Sequence, residues 1–351
     1  MERVCRLAGD GLSPGHPLTS RPQLSGEYIR EWATHAHGSP LYGELCEVVG
    51  DSDELLRILN RILNRPYPNV FFAAVHYLLL KGDGPELAGF YPSLTDDPES
   101  LAAVGRPFRE FVVSHEEEIV ELGRTRHTQT NECRRCVALL PAIWRSGLPR
   151  FHLVDLGTSA GLNLLVDLYH YRWDGIEWGP RSPVILETEL RGSEPEPSEI
   201  QVLTRTGLDL NPIDPSDGDD RLWLEALIWP EHEARRQRLR AALDLARAVD
   251  IHFVAGSALE TLGSALEGLP DAEPAVVINS FTLNQFTEDG RDEVDRVVTQ
   301  SRQVRPVVRV AFEYRGREDD WPKVSVDGGS GEVTIGQAHP HGEWVEFYAR
   351  P

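Results

Sequence analysis

Apolar and polar positions repeat with two different periods along this chain. Over residues 25–148 the apolar side chains recur at three- and four-residue intervals in GEYIREWATHA, LYGELCEVV, DELLRILNRIL, NVFFAAVHYLLL, RPFREFVVSHEEEIVELGRT and NECRRCVALLPAIW. That is the spacing of amphipathic helices. Breakers at Gly38–Pro40, Asn64–Pro68, Gly82–Pro85 and Thr95–Pro98 separate them, as turn chemistry requires. The pattern predicts an all-α N-terminal cap domain over 1–148. His76 and Tyr77 fall inside a wholly apolar helix and read as core.

From residue 151 short apolar runs alternate with helical stretches. FHLVDLG reads as a strand and LNLLVDLYH as the helix after it. A polar, Pro-rich insertion over about 172–200 carries one strand at PVILETEL. QVLTRTGLDLNPID follows, then a helical stretch from Arg221 to Val249 broken near Trp229-Pro230. IHFVAGSALETL, AVVINSFTLNQF, a helix over 289–302 and PVVRVAFEY complete the series. Strands alternating with helices predict an α/β domain over 149–351, a Rossmann-like, doubly wound, mostly parallel sheet. The tail, KVSVDGGSGEVTIGQAHPHGEWVEFYARP, predicts antiparallel edge strands joined by Gly-rich turns.

In such a sheet ligands sit beyond the carboxyl ends of the strands. The first end, Asp155-Leu156-Gly157-Thr158-Ser159-Ala160-Gly161, runs through a tight turn to Asn163 and the expected helix. Backbone N–H groups and a helix dipole would then face a polar ligand. Asp155, two residues before the first glycine, suits a cationic or hydrogen-bond-donating head better than a bare phosphate. This points to an S-adenosylmethionine-type site. The other ends carry Asp209, Ser257-Ala258, Asn279 and Glu313.

Charge narrows the partners. Asp and Glu number 56 against 35 Lys and Arg, a net charge of -21. A surface this acidic repels phosphate backbones and argues against nucleic acid. Lys81 and Lys323 are the only lysines. Such usage fits a high-salt cytoplasm first, with a GC-rich genome that encodes arginine in place of lysine as the alternative. No run of about 18 apolar residues predicts a membrane span. The start, MERVCRLAGDGLSPGHP, lacks a secretory apolar run, so the expectation is a cytoplasmic protein. Cys5, Cys46, Cys133 and Cys136 are too few for a disulfide framework. The CxxC of Cys133 and Cys136 lies in a helical pattern without a second ligand pair, so no metal is expected.

These residues resemble a class I S-adenosylmethionine-dependent methyltransferase over about 151–315. DLGTSAG resembles that superfamily's first motif, with Ser159 in place of the middle glycine. GLDLNP resembles the second-strand end, FVAGSALETL the segment near the adenine, and VINSFTLNQF the motif beside the transferred methyl. The resemblance implies Asp155, Gly157, Ser159, Gly161 and Asn163 at the methionine end, Asp209 at the ribose, and Ser257 and Ala258 at the adenine. Asn279 would contact a small-molecule acceptor, with Glu313, His339 or His341 removing its proton. Asp209 lies far beyond the ~20-residue spacing of related folds, so Glu187 or Glu189 is the other candidate for the ribose. A longer resemblance, carried by FFAAVHYLLL, Gln129-Thr130-Asn131-Glu132, DLGTSAGLNLLVD, LDLNPID, WLEALIWPE and HPHGEW, is to domain of unknown function 2332. It implies a methyltransferase-like fold without naming a reaction.

Other readings stay open. A binding protein of the same fold without transfer activity accommodates Ser159 and Ser257. Gly157-Thr-Ser159-Ala-Gly161 also matches G-x-S-x-G, the nucleophile elbow of α/β-hydrolases, with Asp289 or Glu313 as acid and His339 or His341 as base. Gln129, Asn131 and Glu132 open a helix before the first strand. There they either close over the cofactor's amino-acid end or cap the helix. Trp223, Trp229 and Glu231 either pack a helix break or line a substrate mouth.

Overall fold

The computed structural model describes residues 23–34, 38–64, 67–316 and 321–349. Cys5 and the N-terminal segment read above for a signal lie outside them. The chain forms two compact units, one of residues up to Thr130 with Asp217–Gln237, the other of Asn131–Ser216 with Arg238 onward.

The first unit is helical: α1 (Gly26–Ala33), α2 (Pro40–Gly50), α3 (Asp53–Leu59), α4 (Tyr67–Leu80), α5 (Pro85–Ala88), α6 (Gly105–Ser114) and α7 (Glu116–Thr125). Ser25, Ser39 and Ser52 cap the first three, each accepting a backbone N–H in the first turn. Helix α4 is apolar on every side and forms the centre of the core. Within it His76 is fully buried: Nδ1 donates to the Ala226 carbonyl at 3.1 Å and Nε2 accepts from Ser93 Oγ at 2.8 Å. Burial pushes its pKa down to about 3, which keeps the ring neutral. Trp223 on α9 (Gly218–Ala226) joins this core and donates Nε1–H to the His127 carbonyl.

The second unit is α/β, built on a mixed, mostly parallel sheet of eleven strands in the order β3-β2-β4-β11-β10-β9-β8-β7-β1-β5-β6. The strands are β1 (Arg150–Leu156), β2 (His170–Trp173), β3 (Ile176–Trp178), β4 (Ile185–Gly192), β5 (Gln201–Asp209), β6 (His252–Ala255), β7 (Ala275–Ser280), β8 (Val307–Glu313), β9 (Lys323–Asp327), β10 (Glu332–Ala338) and β11 (Trp344–Phe347). Strands β6, β5, β1, β7 and β8 run parallel. Strands β7 and β8 are buried along their whole length, as a sheet covered on both faces requires. Val154, Leu156, Ala275 and Val277 pack with α11 (Ala258–Glu267) and α12 (Glu288–Ser301). Helix α10 (Glu233–Ala246) precedes β6, and α8 (Cys136–Arg145) packs against β8, β9 and β4.

Three expectations need correction. The tail strands are antiparallel where β8, β9, β10 and β11 meet, but they are interior, and β6 and β3 are the edges. The cause is the 172–200 segment, which is no excursion. It folds the β2–β3 hairpin on a two-residue Asp174-Gly175 turn with both φ positive, then β4, which pairs in parallel with β11. Next, LNLLVDLYH is not an α-helix but a four-residue 3-10 turn, Leu162–Leu165, that soon enters β2. Side chains take the carbonyls a helix would use. Tyr169 Oη donates to Leu162 O at 2.7 Å, Arg205 to Leu164 O at 2.6 Å and Tyr171 Oη to Val166 O at 2.5 Å. Finally, NECRRCVALLPAIW splits into a 3-10 turn over Cys133–Arg135 and then α8. Cys46, Cys133 and Cys136 are buried free thiols.

Candidate functional site at the carboxyl ends of β1, β5 and β7

Strand order reverses at β1, which has β5 on one side and β7 on the other. The 157–161 loop caps this point. Gly157, Ser159 and Gly161 have φ of 73°, 49° and 75°. A Cβ on Gly157 would lie 2.2 Å from Thr282 Oγ1, whose hydroxyl donates to the Leu156 carbonyl. Gly207 on β5 carries Thr158 against its bare face; a Cβ there would come within 2.5 Å of it.

Every backbone N–H of the loop is already engaged. Gly157 and Thr158 donate to Leu208 O, Ser159 to Asp209 Oδ2, Ala160 to Asn131 Oδ1 and Gly161 to Thr158 O. The four-residue turn that follows provides no helix dipole. The donor cradle expected here is therefore closed by the protein's own acceptors.

The structure brings Asp155, Gly157, Ser159, Gly161, Asp209 and Asn131 together. Asp209 holds the loop, accepting Ser159 N–H and Asn211 N–H, each at 2.8 Å. Glu187 and Glu189 are remote, six strand spacings of about 4.8 Å from β1. They pair with Arg172 and Arg191. Asn131 clamps the loop from the other side, its Nδ2 donating to Ser159 Oγ at 2.8 Å. Ser159 thus faces an amide, which cannot take its proton as a general base must. Asn163 accepts the Cys136 thiol at 3.7 Å. Ser257 caps α11, with Ala258 beginning it, beyond the edge strand β6.

Asn279 and Glu313 stand side by side at the ends of β7 and β8, but facing a turn. Glu313 accepts Asn279 Nδ2 at 2.9 Å and the backbone N–H groups of Thr282, Leu283 and Asn284 at 2.7, 3.0 and 3.3 Å. Burial drives its pKa up while these donors oppose the rise. Asp289 is exposed in the first turn of α12. His339 and His341 lie in the β10–β11 turn. That turn is tied by Arg134 to the His341 carbonyl and by Arg135 to the Pro340 carbonyl. Burial lowers the His339 pKa, and its Nδ1 accepts the His341 N–H.

Sequence reasoning missed Thr158, Ser280 and Arg135. Asp155 pairs with Ile278, so strand alternation puts Ser280 on its face and Asn279 on the other. Arg135 is buried and lies over the Phe281 ring at 4.1 Å. An arginine inside the apolar NECRRCVALL run was the available signal. No pattern marked Thr158 or Ser280.

The sequence matches a family described as uncharacterized proteins conserved in bacteria, DUF2332, over residues 27–347. The chain belongs to the DUF2332 family. No curated protein matches it.

What distinguishes the reversal point of this DUF2332 chain is a set of buried polar groups without partners. Asp155 is fully buried, and neither carboxyl oxygen has a hydrogen-bond partner; Thr158 Oγ1, Ser280 Oγ and Asn279 Oδ1 are also unpartnered. Burial pushes the Asp155 pKa up to about 8, helped by the Asp209 charge. Thr158, Asn163 and Arg135 lie near enough to favour the ionised form but do not offset burial. A second concavity of about 450 Å³, lined by Pro212, Ile213, Pro215, Val249, Ile251 and Phe253, opens beside the loop where Gly161 packs on Ile251 and Phe253. Among the described residues no helix is long and apolar enough to cross a membrane. No group of three or more His, Cys, Asp or Glu there could hold a metal ion.

Proposed function

We propose that this protein binds S-adenosylmethionine at the β1–β7 reversal of a Rossmann-like, doubly wound sheet and transfers its methyl group to a small-molecule acceptor. The order β6-β5-β1-β7-β8 is the doubly wound order 3-2-1-4-5, whose ligands sit at the reversal. The observation that carries the reading is Asp155, a buried carboxyl at that point with both oxygens unpartnered. An unpaired buried carboxyl favours a cationic, hydrogen-bond-donating head. A dinucleotide phosphate fits poorly, because the loop N–H groups are all engaged.

When bound, the cofactor supplies an activated methyl group, and the protein's part is alignment and exclusion of water. Asp155 would hold the ammonium end, with Thr158 and Ser280 beside it. Asn131 and Asp209 fix the loop in place. Asn279 Oδ1, also without a partner, lies at the end of the fourth parallel strand on the face opposite Asp155. Ser257 and Ala258 belong to the adenine side of this proposal.

A second reading, a binding protein without transfer activity, is favoured by the commitment of Glu313 to the 282–285 turn. The hydrolase reading has no such support, since Ser159 lies against an amide.

Calorimetric titration with S-adenosylmethionine and its demethylated product tests the assignment. Saturable binding of both is expected, and binding of neither contradicts it. Incubation with methyl-labelled cofactor and a metabolite extract then separates enzyme from binder.

A further inference from the structure

Five groups from four segments face the Asp155 carboxyl: Thr158 from the loop, Asn163 from the 3-10 turn, Arg135 and Cys136 at the start of α8, and Asp209 from β5. Arg135 is the one cation among them. Its guanidinium already serves the Pro340 carbonyl at 3.1 Å and the Phe281 ring at 4.1 Å. Asp209 is a second carboxylate, held in place by two backbone N–H groups. Neither Asp155 oxygen has a hydrogen-bond partner of ordinary geometry, Thr158 and Asn163 stand near it without offsetting burial, and the hydroxyls of Thr158 and Ser280 are themselves unpartnered. A carboxylate so deeply buried, with its neighbours too weakly engaged to offset burial and with a like charge beside it, is costly; the neutral acid is not.

We propose, on the reading that the reversal point of the sheet takes an adenosyl sulfonium cofactor, that it is a proton-exchange site for a primary ammonium group: the ligand enters as the Asp155 proton leaves. The O–H bond of the neutral acid breaks and the proton passes to solvent. Ammonium N–H donors then meet the carboxylate oxygens in its place. The site gains one positive charge from the ligand and one negative charge from the acid, so an unpaired buried charge never forms. This chemistry also selects the ligand. A neutral head provides no charge to pair with the ionised acid. A phosphate meets a loop whose N–H groups are all engaged.

Two measurements on the full chain test the exchange. Calorimetry of the demethylated cofactor at pH 7, in two buffers of different ionisation enthalpy, reads the protons released. About one proton per bound ligand is expected. Asp155→Asn should release none and bind at least tenfold more weakly, about 1.4 kcal/mol. Infrared difference spectra of the wild type against Asp155→Asn should show a protonated-carboxyl C=O stretch without ligand and its loss on saturation. An ionised Asp155 in the free protein, or binding with no proton release, overturns the exchange and leaves the cofactor assignment standing. A neutral Asp155 with no binding of either adenosyl ligand overturns the assignment and the exchange with it.

Discussion

Asp155 is a fully buried acid whose neighbours Thr158, Asn163 and Arg135 do not offset its burial. Its folded-state pKa lies near 8, above the unfolded value of about 3.9. Stability from this group is therefore fully present below about pH 4 and declines as pH rises toward 8, by up to about 1.4 kcal/mol per pH unit. Asp155→Asn, isosteric with the neutral acid, should lose that slope and exceed the wild type in melting temperature at pH 8. Denaturation curves of both proteins across this range check it. Two glycines test packing at the same scale. Gly207→Ala drives a methyl to within 2.5 Å of Thr158 and should cost about 1–3 kcal/mol. Gly263→Ala, in α11 with nothing nearer than 3.8 Å, should stabilise by about 0.5–1 kcal/mol. Chemical denaturation of the two variants measures the contrast. Asp155 was legible as a site residue because an acid ending an apolar strand is anomalous. Ser280 was not, because a serine at a strand end looks like any turn residue until strand register shows which face it shares.

At the scale of elements, periodicity located β1, β4, β5, β7, β8 and α12 to within a few residues, since each buries an apolar face and shows it. It failed at LNLLVDLYH, whose helical spacing is real but whose carbonyls are captured by Tyr169, Tyr171 and Arg205. Arg205 comes from another strand, and such long-range competition leaves no local trace. Glu313 shows the same limit. It reads as a candidate base at a strand end, yet its carboxyl is an acceptor for three backbone N–H groups of the 282–285 segment. Glu313→Gln replaces one acceptor oxygen with a donor facing those N–H groups. It should cost about 2–4 kcal/mol. A lowered melting temperature, with faster amide exchange at Leu283 and Asn284 than at β1, is the expected result.

Across the whole molecule, the change of period near residue 150 marks the passage from helices to sheet. What periodicity did not show is that the 172–200 segment widens the sheet beyond the tail strands. Residues 170–192 supply three strands, of which β4 pairs with β11, where Glu189 meets Trp344, 155 residues downstream. A net charge of -21 adds self-repulsion that salt screens. The melting temperature should accordingly rise by several degrees between low salt and ~1 M sodium chloride; a fall would show that ion pairs outweigh repulsion.

The proposed function seats a cationic adenosyl ligand on Asp155 at the reversal point of the sheet. A crystal structure with the demethylated cofactor tests it most directly. The ligand's amino nitrogen should lie about 2.7–3.2 Å from an Asp155 carboxyl oxygen. A ligand seated instead in the concavity lined by Ile213, Ile251 and Phe253, with Asp155 still unpartnered, would contradict it.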